Sequence, residues 1–343
     1  MVTPTAYITD VRVQAHTLSG HIENAARLNA IHTLLDRSEV AARMQQITPV
    51  EVSDEKILSV HTEEYLNLLK WSETQQGIQF GADTYALPES FRAARISCGA
   101  AVAGVDAVLS GEARNALVAT RPPGHHALPD MAMGFCLLAN VAIAARHAQT
   151  TFNIRKILIM DYDVHHGNGT QDIFYEDAGV LFLSSHQYPF YPGTGDLNDI
   201  GAGAGRGFTL NAPLPAGTGD HGFARLYKEV VWPLARRFAP ELIIVSAGFD
   251  SHFRDPLGGL QLTTSGYAHL SRDLIRMARE LCDGRIVFVQ EGGYDLEALS
   301  YGMLNVAHAL LGDEQVIDPH GQAPHHEPDI APLIARLKEI HGL

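Results

Sequence analysis

Five short apolar runs mark the chain from its first third onward: residues 116–119, 157–160, 180–183, 242–245 and 286–289. None alternates with polar residues, and a short unalternated run reads as a strand buried on both faces. Between most of them lie stretches with helical spacing, over 137–147, 222–238 and 265–281. Earlier in the chain, Arg27, Leu28, Ile31, Leu34 and Leu35 repeat at helical spacing. Residues 53–71 form another helical pattern, opened by Ser53 with Lys56 where a capping box would have an acid. The Ala-rich segment 91–109 suits a helix packed closely on a sheet. Residues 7–13 read as a further strand and 329–340 as an amphipathic closing helix. Strand and helix in alternation predict an α/β fold, a mostly parallel central sheet flanked by helices. No linker, repeat or composition shift divides the chain, so residues 1–343 are expected to form a single domain.

In such sheets ligands bind beyond the carboxyl ends of the strands. Here run 116–119 leads into Arg121-Pro-Pro-Gly-His-His126, and 157–160 into Asp161-Tyr-Asp-Val-His165 followed by His-Gly-Asn168. Run 180–183 leads into Ser184-Ser185-His186, 242–245 into Ser246-Ala-Gly-Phe-Asp250, and 286–289 into Gln290-Glu-Gly-Gly-Tyr294. Alternate residues of an extended chain share a side, so Asp161, Asp163 and His165 would point one way. Two carboxylates beside an imidazole suit a metal ion and not an apolar core. Asp163 and His165 supply an oxygen and a nitrogen; Asp250 is the candidate third ligand, although an Asp after Gly-Phe also caps turns. Such a set leaves a position open for water, as in catalytic sites. Zn²⁺ is the default occupant, and Fe²⁺ or Co²⁺ would also be accepted. His125 and His126, after a rigid Pro-Pro-Gly turn, are the general base and acid for a metal-activated water. Asp161 and Asn168 are there to fix their tautomers. The Tyr294 phenol is placed to meet a developing oxyanion.

Composition narrows the function. Hydrophobic residues make up 46% and charged residues 19%, the balance of a globular protein. Lys and Arg number 25 against 39 acids, for a net charge of −14 without a basic run, so a nucleic-acid surface is not expected. No run of about 18 apolar residues could span a membrane. The start of the chain lacks a basic segment followed by an apolar one, and three scattered cysteines imply no disulfide framework. A cytoplasmic protein is expected. Gly201–Gly207 fits no phosphate-loop pattern and reads as a plain loop, and no GxSxG supports a serine nucleophile. Cys136 reads as core, and the His-rich tract 320–327 as a surface loop.

RPPGHH, DYDVHHGNGTQDIFY, YPGTGD, SAGFDSHFRDPLGG and EGGYDLEAL, spanning residues 121–299, together resemble the zinc-dependent histone deacetylase and acetylpolyamine amidohydrolase superfamily. HIENAARL and VHTEEYL extend the likeness toward the start of the chain. The Asn-Gly-Thr-Gln form is most similar to class II deacetylases and their bacterial deacetylase-like homologues. The resemblance implies an arginase/deacetylase-like fold with Asp163, His165 and Asp250 as zinc ligands. It makes His126 the general base and acid, His125 more electrostatic, and Asp161 and Asn168 their partners. It gives Tyr294 the role of polarising the amide carbonyl. Phe135 and Tyr191 become walls of an acyl-lysine tunnel, with Gly134 and Leu257 in the substrate-binding set. K⁺ is implied beside the zinc, at Asp161, Asp163, His165, Ser184 and Ser185, and Arg27 is implied to contact the Gly-Gly segment.

Two departures stand out. The family's HPExPxR reads His21-Ile-Glu-Asn-Ala-Ala-Arg27 here, without either proline, which leaves the shape of that rim loop open. Leu257 stands where polyamine-selective members carry an acid. The reading is a metal-dependent amidohydrolase that removes acetyl or short acyl groups from N-acyl-lysine, in a peptide or protein, or from a small acylated amine. The alternative is an acetylpolyamine amidohydrolase. A two-metal ureohydrolase would need an acid at Gly167, and a non-enzymatic scaffold is disfavoured because every catalytic position is filled. A homo-oligomer is left open.

Overall fold

Strands that are apolar on both faces need a helical layer on each side, and the computed structural model, which describes residues 3–343, is built that way. In chain order the strands are β1 (Thr5–Ile8), β2 (Gln45–Ile47), β3 (Ile78–Phe80), β4 (Thr84–Ala86), β5 (Asn115–Val118), β6 (Ile157–Asp161), β7 (Val180–Gln187), β8 (Thr209–Leu214), β9 (Leu242–Ala247) and β10 (Ile286–Gln290). Eight of them form one sheet in the order β2-β1-β5-β10-β9-β6-β7-β8. Every neighbouring pair is parallel. β3 and β4 form a separate antiparallel pair. The five apolar runs are therefore β5, β10, β9, β6 and β7, contiguous at the centre of the sheet. That is why their carboxyl-end loops meet.

Side chains of one strand divide between two cores, as alternation requires. Leu158 and Met160 join one apolar cluster while Ile157 and Ile159 join the other. The result is one α/β domain with helices on both faces. The Ala-rich helix, Ser90–Leu109, is buried along most of its length. Helix Leu296–Leu311 is also mostly buried, packed between helices Ala26–Arg37 and Thr264–Leu281. Among the described residues no helix is long and apolar enough to cross a membrane, and all three cysteines are free and buried.

Several boundaries differ from the sequence reading. The expected strand over 7–13 ends at Ile8, because the Asp10 carboxylate accepts from the Arg12 amide and opens a 3-10 turn at Val11–Ala15. The pattern over 53–71 is two helices, Asp54–Ile57 and Glu63–Ser72, because Thr62 caps a new start. The helix expected from 137 begins at Asn140, and the one over 222–238 passes through a π-helical turn at Tyr227–Val231. The GAGAGRG segment is a loop with one short turn at Gly203–Gly205.

Candidate active site

β6 and β9 lie side by side with Asp161 opposite Ser246, so the segments beyond them run out together. Asp163 and His165 come from the first and Asp250 from the second. The Val164 amide donates to Asp250 Oδ1 at 2.9 Å, while Asp250 Oδ2 has no hydrogen-bond partner although the residue is buried. His165 Nδ1 stands 3.1 Å from Asp163 Oδ1 and 3.4 Å from Asp250 Oδ2. One donor atom from each of the three lies within 4.8 Å of the others. Burial, then the neighbouring Asp163, push the Asp250 carboxyl upward. Burial disfavours the charged imidazole of His165, yet the Asp163 and Asp250 carboxylates outweigh it and raise that group. Two buried carboxylates, an imidazole and an orphaned oxygen are a donor set that fits a divalent cation.

The tandem histidines leave β5 beside this set. His125 Nδ1 is 3.0 Å from Asp161 Oδ2 and His126 Nδ1 is 2.7 Å from Asn168 Oδ1. Both rings are buried with centroids 3.9 Å apart, and each keeps its Nε2 away from its partner. Burial, followed by the nearby His125 and His165, holds His126 well below the usual imidazole range. For His125 burial is outweighed by the Asp163 and Asp161 carboxylates, and its affinity for a proton rises. The surroundings thus act in opposite directions on the two neighbouring rings.

Tyr294 is fixed from two sides. Arg27 Nε donates to the Gly293 carbonyl at 2.7 Å and Nη2 to that of Glu291 at 2.5 Å, with its guanidinium 4.8 Å from the Tyr294 ring centre. Asp255 Oδ2 accepts from the Tyr294 amide at 2.6 Å and Oδ1 from the Leu257 amide at 2.9 Å. Burial raises the phenol well above its ordinary range, so it stays a donor. Glu23, buried between Arg27 and Arg121, is kept at about 2 against its burial by those two guanidiniums. The missing prolines do not loosen this loop: Asn24 Nδ2 donates to the His21 carbonyl at 2.7 Å and Oδ1 accepts from the Ala26 amide at 2.8 Å.

Above these groups opens a cavity of about 520 Å³, lined by Gly134, Phe135, Phe190, Tyr191, Leu257 and Tyr294 among others. Phe135 has φ +67°, held by its amide donating to Thr84 Oγ1 at 2.9 Å. Gly134 precedes it at φ +55°, where an added Cβ would stand 2.2 Å from His126. Tyr191 meets His126 edge-on at 5.3 Å, and Phe190 stacks on His165 at 5.6 Å. The residues expected to hold a monovalent cation are gathered at the β6–β7 end, where Asp161 lies opposite Ser184 and Ser185 Oγ donates to the Asp161 carbonyl at 3.3 Å. Ser184 and Ser185 are successive strand residues, so their hydroxyls face opposite sides and do not converge. Along the tract 320–327, Gln322–Glu327 line an open surface cleft of about 640 Å³. His320, by contrast, turns inward against His252, with ring centres 5.3 Å apart.

The sequence reading overlooked several residues that shape the site: Asp255, Glu291, Phe190, and the pair His166 and His186. The pair anchors the Tyr191 loop through Thr194 Oγ1 (2.8 Å) and the Gly195 carbonyl (3.0 Å). Their signal was present, since His186 lies among the last residues of β7 and His166 just beyond β6, at the same sheet edge, but they bear on backbone rather than on a reacting centre.

Residues 21–310 match the family described as "Histone deacetylase domain". The chain is 41% identical to "Histone deacetylase 14, chloroplastic" of Arabidopsis thaliana over 350 aligned residues, covering 96% of this chain and 82% of that protein. It is 40% identical to the "Histone deacetylase-like amidohydrolase" of Pseudomonas aeruginosa, covering 90% and 81%. The crystal structure of the HDA15 HD domain superposes with a TM-score of 0.91 at 34% identity, over 99% of this chain and 95% of that one. The chain belongs to the histone deacetylase family and is a deacetylase of the amidohydrolase type.

Proposed function

We propose that this deacetylase is zinc-dependent and removes acetyl or short acyl groups from N-acyl-lysine side chains. The observation that carries the reading is the convergence of the Asp163, His165 and Asp250 donors on the floor of the cavity that Tyr294 and the tandem histidines line. Zn²⁺ bound by those three donors would act as a Lewis acid and lower the pKa of water. His126, neutral and with its Nδ1 proton directed at Asn168, takes the proton of the attacking water at Nε2 and returns it to the departing amine. His125, paired with Asp161, holds positive charge beside the reacting centre. Tyr294 donates from its phenol to the carbonyl oxygen as charge builds there, worth roughly 3 kcal/mol. Phe135 and Tyr191 hold the alkyl stem, with Gly134 and Leu257 completing the wall.

The same reading places K⁺ at the β6–β7 end, through Asp161, Asp163, His165, Ser184 and Ser185, with backbone carbonyls supplying oxygens where the two serine hydroxyls point apart. The apolar Leu257 at the mouth favours acyl-lysine over acetylpolyamines, whose distant ammonium would find no partner from that side chain. A cytoplasmic location is part of the proposal and is supported by the three free cysteines.

Replacing Tyr294 with Phe tests the chemistry. Turnover of an acetyl-lysine peptide is expected to fall by about 10²–10³ with KM and zinc content unchanged; full activity overturns the mechanism. Comparing that peptide with acetylspermidine and acetylputrescine, before and after chelation, tests substrate and metal. Preference for the polyamines reverses the substrate ranking, and activity that survives complete metal removal refutes the metal.

A further inference from the structure

Glu291 is a buried carboxylate that the chemistry above does not use. Burying a carboxylate is costly unless its oxygens are well satisfied. Arg27 passes close by, yet it directs Nη2 to the Glu291 backbone carbonyl. The side chain instead reaches sideways from the end of β10 to the loop leaving β5, the neighbouring strand. Its Oε2 accepts from two successive amides, Gly124 at 2.6 Å and His125 at 3.2 Å, and its Oε1 accepts from Ser246 Oγ at 3.2 Å. On the far side of His125, the carbonyl accepts from the Gly169 and Thr170 amides at 3.0 and 3.2 Å. Upstream, the Pro122 carbonyl accepts from Ser97 Oγ at 2.9 Å and Asn140 Nδ2 at 3.0 Å. The amides of Gly124 and His125 are thus the one part of this loop whose direction a single side chain sets.

We propose that Glu291 is the positioning residue of the tandem-histidine loop, aiming the His125 and His126 rings through a hydrogen-bonded grip on the two amides before them. The proposal rests on the deacetylase reading, in which those rings act on the attacking water and the departing amine. The grip is a matter of acceptor geometry, not of net charge. A glutamine at 291 can present Oε1 to both amides and donate from Nε2 to Ser246 Oγ, keeping every hydrogen bond. An alanine leaves both amides unpaired and the loop free to turn.

The test compares Glu291→Gln and Glu291→Ala with the wild type, all loaded with zinc, on an acetyl-lysine peptide. Glu291→Ala is expected to lose about 10²-fold in kcat, the effect of roughly 1 Å of misplacement, with KM and zinc content unchanged. Glu291→Gln is expected to recover kcat to within a few-fold of wild type. A wild-type kcat in folded Glu291→Ala overturns the proposal. So does a Glu291→Gln variant as slow as Glu291→Ala, which would make charge the requirement. So does a change confined to KM.

A second measurement needs neither activity nor the alanine variant. Labelling with ¹³C-proline and ¹⁵N-glycine isolates the Pro123-Gly124 and Pro192-Gly193 pairs, the two Pro-Gly sequences of the chain. At about pH 9, where Glu291 is ionised, the Gly124 amide proton is expected far downfield in the wild type, as befits a short charge-assisted hydrogen bond. It should move upfield in Glu291→Gln while Gly193 stays put. An ordinary, unmoved Gly124 resonance overturns the proposal even if catalysis is as expected. An inactive wild type with the downfield resonance would instead refute the deacetylase reading and leave the grip standing.

Discussion

Replacing Gly292 with alanine adds one methyl group where the site has no room for it. An added Cβ would stand 1.9 Å from Asp250 Oδ2 and 2.5 Å from Asp163 Oδ2. An ordinary carbon–oxygen contact is about 3.3 Å, so the two carboxylates would have to retreat by about 1.4 and 0.8 Å. The backbone cannot yield instead. The Gly292 amide donates to Asp163 Oδ2 at 2.8 Å, and Arg27 grips the carbonyls of Glu291 and Gly293 on either side. Zinc sites tolerate ligand shifts of only about 0.2 Å, so both displacements exceed what coordination can absorb. Zinc measured by mass spectrometry is therefore expected to drop from one equivalent to a small fraction of one. Turnover of an acetyl-lysine peptide should fall by at least about 10²-fold. Chelation should lower the melting temperature of the wild type, because a ligand bound only to the folded state at 1,000 times its Kd adds about 4 kcal/mol. Gly292→Ala should show no such shift. Full zinc occupancy with wild-type turnover in Gly292→Ala would refute the assignment of Asp163 and Asp250 as ligands.

Two further outcomes follow from the mouth of the cavity and from a buried imidazole. Leu257→Glu places a carboxylate at the rim, and a partly exposed ion pair of about 1 kcal/mol corresponds to a roughly fivefold rise in kcat/KM for acetylspermidine relative to an acetyl-lysine peptide. The gain should fade with added salt, and an unchanged ratio would show that position 257 does not read the distant ammonium. His61 has Nδ1 at 3.0 Å from the Leu128 carbonyl and Nε2 at 3.0 Å from the Ala139 amide, and burial lowers it to about 4. Since its folded pKa lies below the unfolded 6.5, its stabilising effect is complete above pH 6.5 and is lost as pH falls toward 4. The gap corresponds to about 3 kcal/mol. Asp255 and Glu291, raised to about 7, act in the opposite direction over the same window, so the His61 contribution is read as a difference. The change in urea midpoint of the metal-free protein between pH 6.5 and 4.5 should be less negative in His61→Gln than in the wild type, and identical changes would refute the assignment.

What could be read from sequence follows from what each residue does. Runs such as 157–160 and 242–245 are apolar on both faces because they are central parallel strands, and few other environments produce a short run of that kind. The edges carried no such signal. β2 is three residues, two half-buried and the middle one exposed, and β8 contains Asn211 and Pro213, which interrupt an apolar pattern. Helix Leu296–Leu311 is apolar nearly all round, so it lacks the stripe that marks an amphipathic helix. In the site, Asp163, His165, His126 and Tyr294 announce themselves because their chemistry is rare at the end of a buried strand. Asp255 and Glu291 are the same residue types at the same edge, but their work is to hold amides, and which amide a carboxylate meets is decided by strand order. That order, with β10 between β5 and β9, is a long-range property that no local pattern carries.

Strand order also explains the electrostatics of the site. It brings Glu23, Asp161, Asp163, Asp250, Asp255 and Glu291 together in the buried interior, where the guanidiniums Arg27 and Arg121 are both taken up with Glu23. The remaining five carboxylates face chiefly imidazoles and backbone amides. Burial pushes Asp255 and Glu291 up to about 7, with the other acids adding to the effect. Amides can satisfy the hydrogen-bonding capacity of a carboxylate but cannot neutralise its charge. Asp255 and Glu291, which accept only from amides and a hydroxyl, therefore bear that excess as raised proton affinity. Asp163 and Asp250 are different, because Asp250 Oδ2 is left without a donor and the two repel each other across a few ångströms. A divalent cation there, and a monovalent one by Asp161, would offset the charge at the point where proton uptake would destroy the donor set. The buried acids and the proposed Zn²⁺ and K⁺ thus belong to one charge balance. Asp255 and Glu291, which neither proposed cation uses, are free to grip the amides of the Tyr294 and tandem-histidine loops.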